Sequence, residues 1–233
     1  PRGCGGVAVT KVSLFDHSGS DRHIAAYFWT STSKDEDAFF CPETEVERVL
    51  RFGMKADPVP HATPFGHPHV TVKVDDVPLF VVAQWQRHRV QNYSQKSLRY
   101  TMAANGAYVP EVANVRGRVG RPGHYTTETL PVDTAIQVAH LIEDHNRTCF
   151  SRYHELLDLG VAEELARTVL PVGTLTRMYA TASLRNWFGF LVQRTDAHTQ
   201  VETREAAQQV EAVLTGLFPI SMRLWCEYGR RVV

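Results

Sequence analysis

The stretch from Gln84 to Tyr100 limits the fold of this chain more than any other. It carries Arg87, Arg89, Lys96 and Arg99 with His88, the amides of Gln84, Gln91 and Gln95, and Tyr93 and Tyr100. It contains no carboxylate. A buried charge without a partner is very costly, so these cations must either stay in water or surround an anion supplied from outside. Phosphate is the commonest such anion for arginine. The run follows directly on Val77–Ala83, the longest apolar stretch of the chain. The backbone therefore passes from core to cation cluster within a few residues.

A chain of 233 residues can bury one sizeable core, and 1–233 reads as a single catalytic domain. Its apolar share of 43% is ordinary for a folded protein. The formal net charge of +0 gives no general pull towards nucleic acid or membrane, so an anion site has to be local. Cys4, Cys41, Cys149 and Cys226 are scattered without a CxxC pair, which fits a reducing compartment. Val77–Ala83 is too short to span a bilayer and the N-terminus shows no signal-peptide pattern, so the expected location is the cytoplasm.

Read in order, alternation of Val7, Val9, Val12 and Leu14 predicts a strand over 7–15. Asp21 is expected to cap a short helix from His23 to Thr30. Pro42, Glu43 and Glu45 open a second helix with a Val46, Val49, Leu50 stripe that Gly53 should end. Residues 55–68 form a Pro/His loop, and His69–Asp75 alternates as a strand. Leu79–Val82 is open between strand and helix; as a helix it would put Gln84, Arg87 and His88 on one face. The Gly/Arg-rich 114–127 segment reads equally as a loop or hairpin and as a binding element. A long helix runs from Asp133 or Thr134 to Leu159, its stripe formed by Val138, Leu141, Ile142, Cys149, Tyr153 and Leu156, with Gly160 as its C-terminal stop. A short helix spans Ala162–Leu170, a strand Thr174–Tyr179, a helix capped by Thr181 or Ser183 reaches Arg194, and a last helix spans His198–Leu217. The fold class is α+β (mixed α/β), with a mainly antiparallel sheet packed by long helices.

The spacing Gln84-x2-Arg87-His88-Arg89-x7-Ser97-x-Arg99-Tyr100 resembles the signature of the flavin-dependent thymidylate synthases. Three further segments resemble that family in the same order: His61-Ala-Thr63-Pro-Phe65-x-His67, Ala166-Arg167-x-Val-Leu-Pro171, and Ser183-Leu-Arg185-x3-Gly189-x4-Arg194-x3-His198. The resemblance implies FAD-dependent C5-methylation of a uridine monophosphate nucleotide, dUMP or UMP. Methylenetetrahydrofolate would be the carbon donor and NADPH the reductant. It assigns Gln84, Arg87, Gln95, Ser97, Arg99, Arg167 and Arg194 to the nucleotide, and His61, Thr63, Arg87, His88, Arg89, Gln95, Ser183 and Arg185 to FAD. It also implies a homotetramer with sites between subunits. Arg194 is the expected catalytic residue, because a guanidinium beside N3 and O4 stabilises the electron-rich pyrimidine that attacks from C5.

None of the cysteines lies in a motif that would make it a nucleophile, and Cys149 is expected in a buried stripe. His61, His67 and His69 have no nearby carboxylate or thiol, so no metal site is assigned. Trp187, Phe188 and Phe190 read as core, and His198 with Glu202 as a helix-surface pair. The sequence departs from the family pattern at Gly66, Ser183, Gly189 and the Ala25–Phe28 helix, which is compatible with a paralogue acting on UMP in nucleoside-antibiotic assembly. Two other readings stay open: a nucleic-acid-binding module built on residues 87–100, and a nucleotide- and flavin-binding relative that does not methylate.

Overall fold

The computed structural model describes residues 10–32, 41–56, 60–103, 106–121 and 125–230. Its strands are β1 (Lys11–His17), β2 (His69–Pro78), β3 (Asn92–Gln95), β4 (Arg116–Arg118), β5 (Tyr125–Thr129) and β6 (Leu175–Ser183). Its α-helices are α1 (Asp21–Thr32), α2 (Val46–Lys55), α3 (Leu79–Trp85), α4 (Val132–Asp158), α5 (Glu163–Ala166), α6 (Leu184–Arg194), α7 (Val201–Leu217) and α8 (Pro219–Glu227). The mixed α and β content agrees with the fold class expected. The described residues form two compact units, one made of 11–32, 41–56, 60–75, 84–94 and 178–230, the other of Thr10, 76–83, 95–103, 106–121 and 125–177.

The larger unit holds most of a four-stranded sheet of order β1-β2-β6-β3. Strands β1 and β2 pair antiparallel from Lys11↔Asp75 to His17↔Val70, with a bulge between Leu14 and Asp16. Alternation in β2 turns Val70, Val72 and Val74 inward, all fully buried, as the sequence pattern requires. Trp187, Phe188 and Phe190 of α6 are also fully buried, in the core where they were expected. Phe188 stacks on Trp225 at 4.7 Å, and Phe65 meets Phe188 edge-on at 5.8 Å.

Several local expectations need correction. The first strand starts at Lys11, and residues 7–9 lie outside the described set. Ser20 caps α1 through its carbonyl, which accepts from Ile24 N at 3.1 Å. Asp21 instead caps α8, accepting from Ile220 N at 2.7 Å and Ser221 N at 3.0 Å. Gly53 does not end α2; it lies inside the helix, where a Cβ would fall 2.3 Å from the Phe28 ring of α1. Its missing side chain is what lets the two helices approach. Helix α7 starts at Val201, so His198 is not on it and pairs with Asp196 at 2.9 Å. Helix α8 was not anticipated; Pro219 opens it at the first turn, where proline has no amide hydrogen bond to lose.

In the smaller unit, Leu79–Val82 resolves as helix because the amides of Leu79 and Phe80 find the carbonyls of Thr174 and Val172, each at 3.1 Å. Helix α4 ends at Asp158, and Gly160 takes φ +81°. Gly160 N bonds Leu157 O at 2.9 Å and Val161 N bonds Leu156 O at 3.0 Å, closing a Schellman motif. The stripe expected along α4 is only partly covered: Tyr153 is fully buried, but Leu141 is 63% exposed and Cys149 is half-buried. The Gly/Arg-rich segment forms the β4–β5 hairpin, with Arg116 opposite Thr129 and Arg118 opposite Tyr125.

Candidate active site

Within the larger unit the Arg-His-Arg stretch forms a tight turn. Helix α3 stops at Trp85, and the chain continues through turn bonds from Arg87 N to Gln84 O (3.4 Å), His88 N to Trp85 O (3.0 Å) and Gln91 N to His88 O (3.2 Å). The helical face of Gln84, Arg87 and His88 therefore does not form. Trp85 turns inward onto Phe190 at 4.7 Å, and its indole N–H donates to Gln91 Oε1 at 3.0 Å. His88 also turns inward and is 8% exposed, while Arg87 and Arg89 point out to solvent.

The turn is fastened from three directions. The Tyr93 hydroxyl lies 2.9 Å from both Trp85 O and His88 O and 3.1 Å from Gln91 Oε1, and donates its single proton to one of the three at a time. Burial pushes this phenol up to about 12, so it remains a donor. Asn186, in the first turn of α6, donates from Nδ2 to Val90 O at 3.0 Å. Arg194, at the other end of α6, donates from Nη2 to Gln84 O at 2.9 Å and from Nε to His88 Nε2 at 2.8 Å. The late arginine and the central motif thus meet, as the spacing alone could not show.

The electrostatics of this cluster are unusual. Burial, followed by the charge of Arg194, pushes His88 down to about 4, so its imidazole is neutral and can accept from a guanidinium. Arg194 is half-buried and its own pKa is lowered by desolvation, then by the charge of Arg87. Arg87 and Arg89 have no carboxylate partner among the described residues. Arg194 and its neighbour Arg87 thus present uncompensated positive charge, suited to an anionic ligand.

The remaining residues expected at FAD are placed as follows. Thr63 opens a short 3-10 helix, Thr63–Gly66, and is exposed. His61 is exposed and its ring stacks on Phe52 at 5.9 Å. Ser183 is the cap of α6, its hydroxyl accepting from Asn186 N at 3.3 Å, and Arg185 is exposed on the first turn. The amide of Gln84 is engaged with α7: it donates to Gln200 Oε1 at 2.6 Å and accepts from Thr203 at 3.2 Å. A nucleotide would reach that amide only by exchanging these bonds.

The smaller unit carries the other expected nucleotide ligands. Gln95 is exposed at the end of β3. Ser97 Oγ accepts from Arg99 N at 3.2 Å. Arg99 donates from Nε (3.2 Å) and Nη2 (2.9 Å) to the carboxylate of Glu164, and Arg167 Nε donates to the Glu164 carbonyl at 3.3 Å. Glu164 thus engages both arginines expected at a phosphate. That ion pair is half exposed on both sides, 49% and 57%, so it holds the arginines only weakly.

Glu164 and Asn186 were not singled out from the sequence, and Tyr93 was noted only as a member of the basic stretch. Asn186 had one signal, its place one residue after Arg185 in a motif already noted, and Glu164 is the nearest carboxylate before Arg167. Among the described residues no three His, Cys, Asp or Glu side chains gather as a metal site would require. His67 stacks on Tyr27 at 4.1 Å, and His69 Nδ1 lies 2.9 Å from His67 O.

Residues 13–220 match the family model of the thymidylate synthase complementing protein, Thy1. A flavin-dependent thymidylate synthase of Thermosipho africanus (strain TCF52B) is 32% identical over 72% of this chain and 73% of its own length. That of Tropheryma whipplei (strain TW08/27) is 31% identical over 94% of this chain and 93% of its own. Among solved structures, the UMP/dUMP methylase PolB from Streptomyces cacaoi bound with 5-Br dUMP superposes with a TM-score of 0.86 at 31% identity, covering 97% of this chain and 98% of that one. The same methylase bound with 5-Br UMP gives 0.82 at 28% identity.

Proposed function

The chain belongs to the flavin-dependent thymidylate synthase family, and from that premise we propose that it methylates C5 of a uridine monophosphate, dUMP or UMP. Methylenetetrahydrofolate donates the carbon and NADPH the reducing equivalents, as in the family at large. One observation carries the reading: Arg194, half-buried, is held by Gln84 and His88 of the Arg-His-Arg turn beside Arg87, which has no carboxylate partner among the described residues. Likeness to a methylase solved with bromo-analogues of both nucleotides supports either sugar as substrate.

C5 of uracil is a poor nucleophile, and the ring becomes a better one as its N3 proton is lost. Arg194 stays charged and can donate two N–H groups in one plane, so it favours the anionic ring at N3 and O4. Arg87, with Ser97, Arg99, Arg167, Gln84 and Gln95, holds the phosphate and sugar side. The exposed guanidiniums of Arg87 and Arg89 suit the diphosphate of FAD, as their lack of carboxylate partners indicates, and His61, Thr63, His88, Gln95, Ser183 and Arg185 complete that set. Bound FAD supplies a hydride to the transferred carbon. The mechanism assigns the thiols no part, and burial raises the pKa of Cys41 and Cys226, which disfavours the thiolate at those two.

The 13–220 match takes in both units, which supports treating 1–233 as one catalytic domain. Helix α4 leaves Val132 and Ile136, one turn apart on the same face, exposed, which supports assembly with further copies, in the expected homotetramer. No described helix is long and apolar enough to cross a membrane, and a cytoplasmic location is proposed. Reduced flavin on the purified protein should be oxidised by methylenetetrahydrofolate only when dUMP or UMP is present. Oxidation that ignores the nucleotide would count against the assignment.

A further inference from the structure

We propose that His88 is the positioning residue for Arg194, a neutral imidazole protonated on Nδ1 whose Nε2 lone pair holds the guanidinium by its Nε–H. This rests on the reading of Arg194 as the group that meets the pyrimidine. The geometry requires the tautomer. Arg194 Nε lies 2.8 Å from His88 Nε2, and a guanidinium nitrogen has no lone pair to offer. A proton on Nε2 would set two N–H groups head to head, so the imidazole proton must be on Nδ1. The surroundings keep the ring uncharged: His88 is 8% exposed, the Phe190 ring meets it edge-on at 4.9 Å, and the neighbouring charge is positive.

His88 and Gln84 act together. The imidazole takes Nε–H, and the Gln84 carbonyl, from the same turn, takes one N–H of Nη2. These two contacts occupy one edge of the guanidinium. Three of its five N–H donors, two on Nη1 and one on Nη2, keep no partner among the described residues, and one from each Nη points along the end-on edge. A planar ligand such as a pyrimidine can be met there in bidentate fashion. Both anchors are neutral. A carboxylate at either position would fix the side chain equally well, but it would offset the charge that the ring anion needs. A neutral imidazole supplies direction and leaves the charge whole.

The anchors are themselves held. Tyr93 and Asn186 fasten the turn at Trp85 O or His88 O and at Val90 O, so the imidazole is presented by a fixed backbone. Loss of the ring nitrogen should therefore release Arg194 without unfolding the turn. Misplacement of a catalytic group by about 1 Å can cost about 100-fold in rate.

The test pairs a measurement on the unaltered protein with three variants. Nitrogen-15 NMR of histidine-labelled protein should show the His88 ring neutral, with Nε2 unprotonated and Nδ1 carrying the proton. A protonated Nε2 overturns the proposal whatever the variants do. His88→Leu, assayed at saturating FAD, should lower kcat about 100-fold with a much smaller change in nucleotide KM. His88→Gln, which can return an acceptor oxygen to the same place, should recover at least about tenfold of that loss. If His88→Leu keeps kcat within about threefold while Arg194→Ala loses about 100-fold or more, the positioning role is refuted and the reading of Arg194 stands. Arg194→Ala turning over at the parental rate refutes that reading instead. His88→Gln no better than His88→Leu also counts against the proposal.

Discussion

At the scale of single residues, the chemistry concentrates on a guanidinium that is partly desolvated and gripped by neutral acceptors. Arg194→Ala should lower turnover about 100- to 1,000-fold, the usual cost of removing one preorganised donor, while FAD stays bound. Turnover at the parental rate would remove Arg194 from the mechanism. His88 makes a separate statement about stability. Its folded pKa, about 4, lies below the ordinary 6.5, so between those values the unfolded chain binds a proton that the folded chain refuses. Stability should therefore be complete above pH 6.5 and decline as pH falls towards 4, by up to about 3 kcal/mol from this group. Denaturant titrations across that window, compared with His88→Gln, should show a flatter acid limb in the variant. Replacing every cysteine by serine should leave methylation intact, and its loss in a folded Cys149→Ser protein would contradict a mechanism without a thiolate.

At the scale of elements, helix α6 organises the larger unit's half of the site, because its two ends reach the same turn. Asn186 bonds Val90 and Arg194 bonds Gln84 and His88, a helix length apart. The packing beneath is tight. Gly53→Ala would place a methyl group against the Phe28 ring, and overpacking of this kind costs about 1–3 kcal/mol, which a thermal melt would detect as a lower midpoint. Asp21→Ala should cost about 1 kcal/mol by removing the cap of α8. These features also show what the sequence could and could not say. The β2 alternation, the length of α4 and the Ser183 cap were legible because each depends on neighbours within a few residues. The capping of α8 by Asp21 and the grip of His88 on Arg194 were not, since each joins residues about 100 or more apart. Gly53 misled because a glycine that ends a helix and one that admits a neighbouring ring look alike in one dimension. Leu141 misled because helical periodicity shows that a face is apolar but not what covers it.

At the scale of the whole molecule, neutral net charge, with Arg87 and Arg89 lacking a carboxylate partner among the described residues, favours a small anionic ligand over a long polyanion. The expected nucleotide ligands are divided between the two units, with Gln84, Arg87 and Arg194 in one and Ser97, Arg99 and Arg167 in the other. Glu164 stands at Arg99 and Arg167, and Glu164→Gln should tighten nucleotide binding several-fold by freeing Arg99, as equilibrium dialysis would show. Light scattering should give the mass of four chains if α4 is covered by further copies. The claim that governs all of this is C5-methylation of a uridylate. The direct measurement is mass-spectrometric detection of product after parallel incubation of the FAD-loaded protein with dUMP and with UMP, each with methylenetetrahydrofolate and NADPH. A 5-methyl product from at least one nucleotide, formed about 100- to 1,000-fold more slowly by Arg194→Ala, is the result expected; no methylated product from either would contradict the assignment.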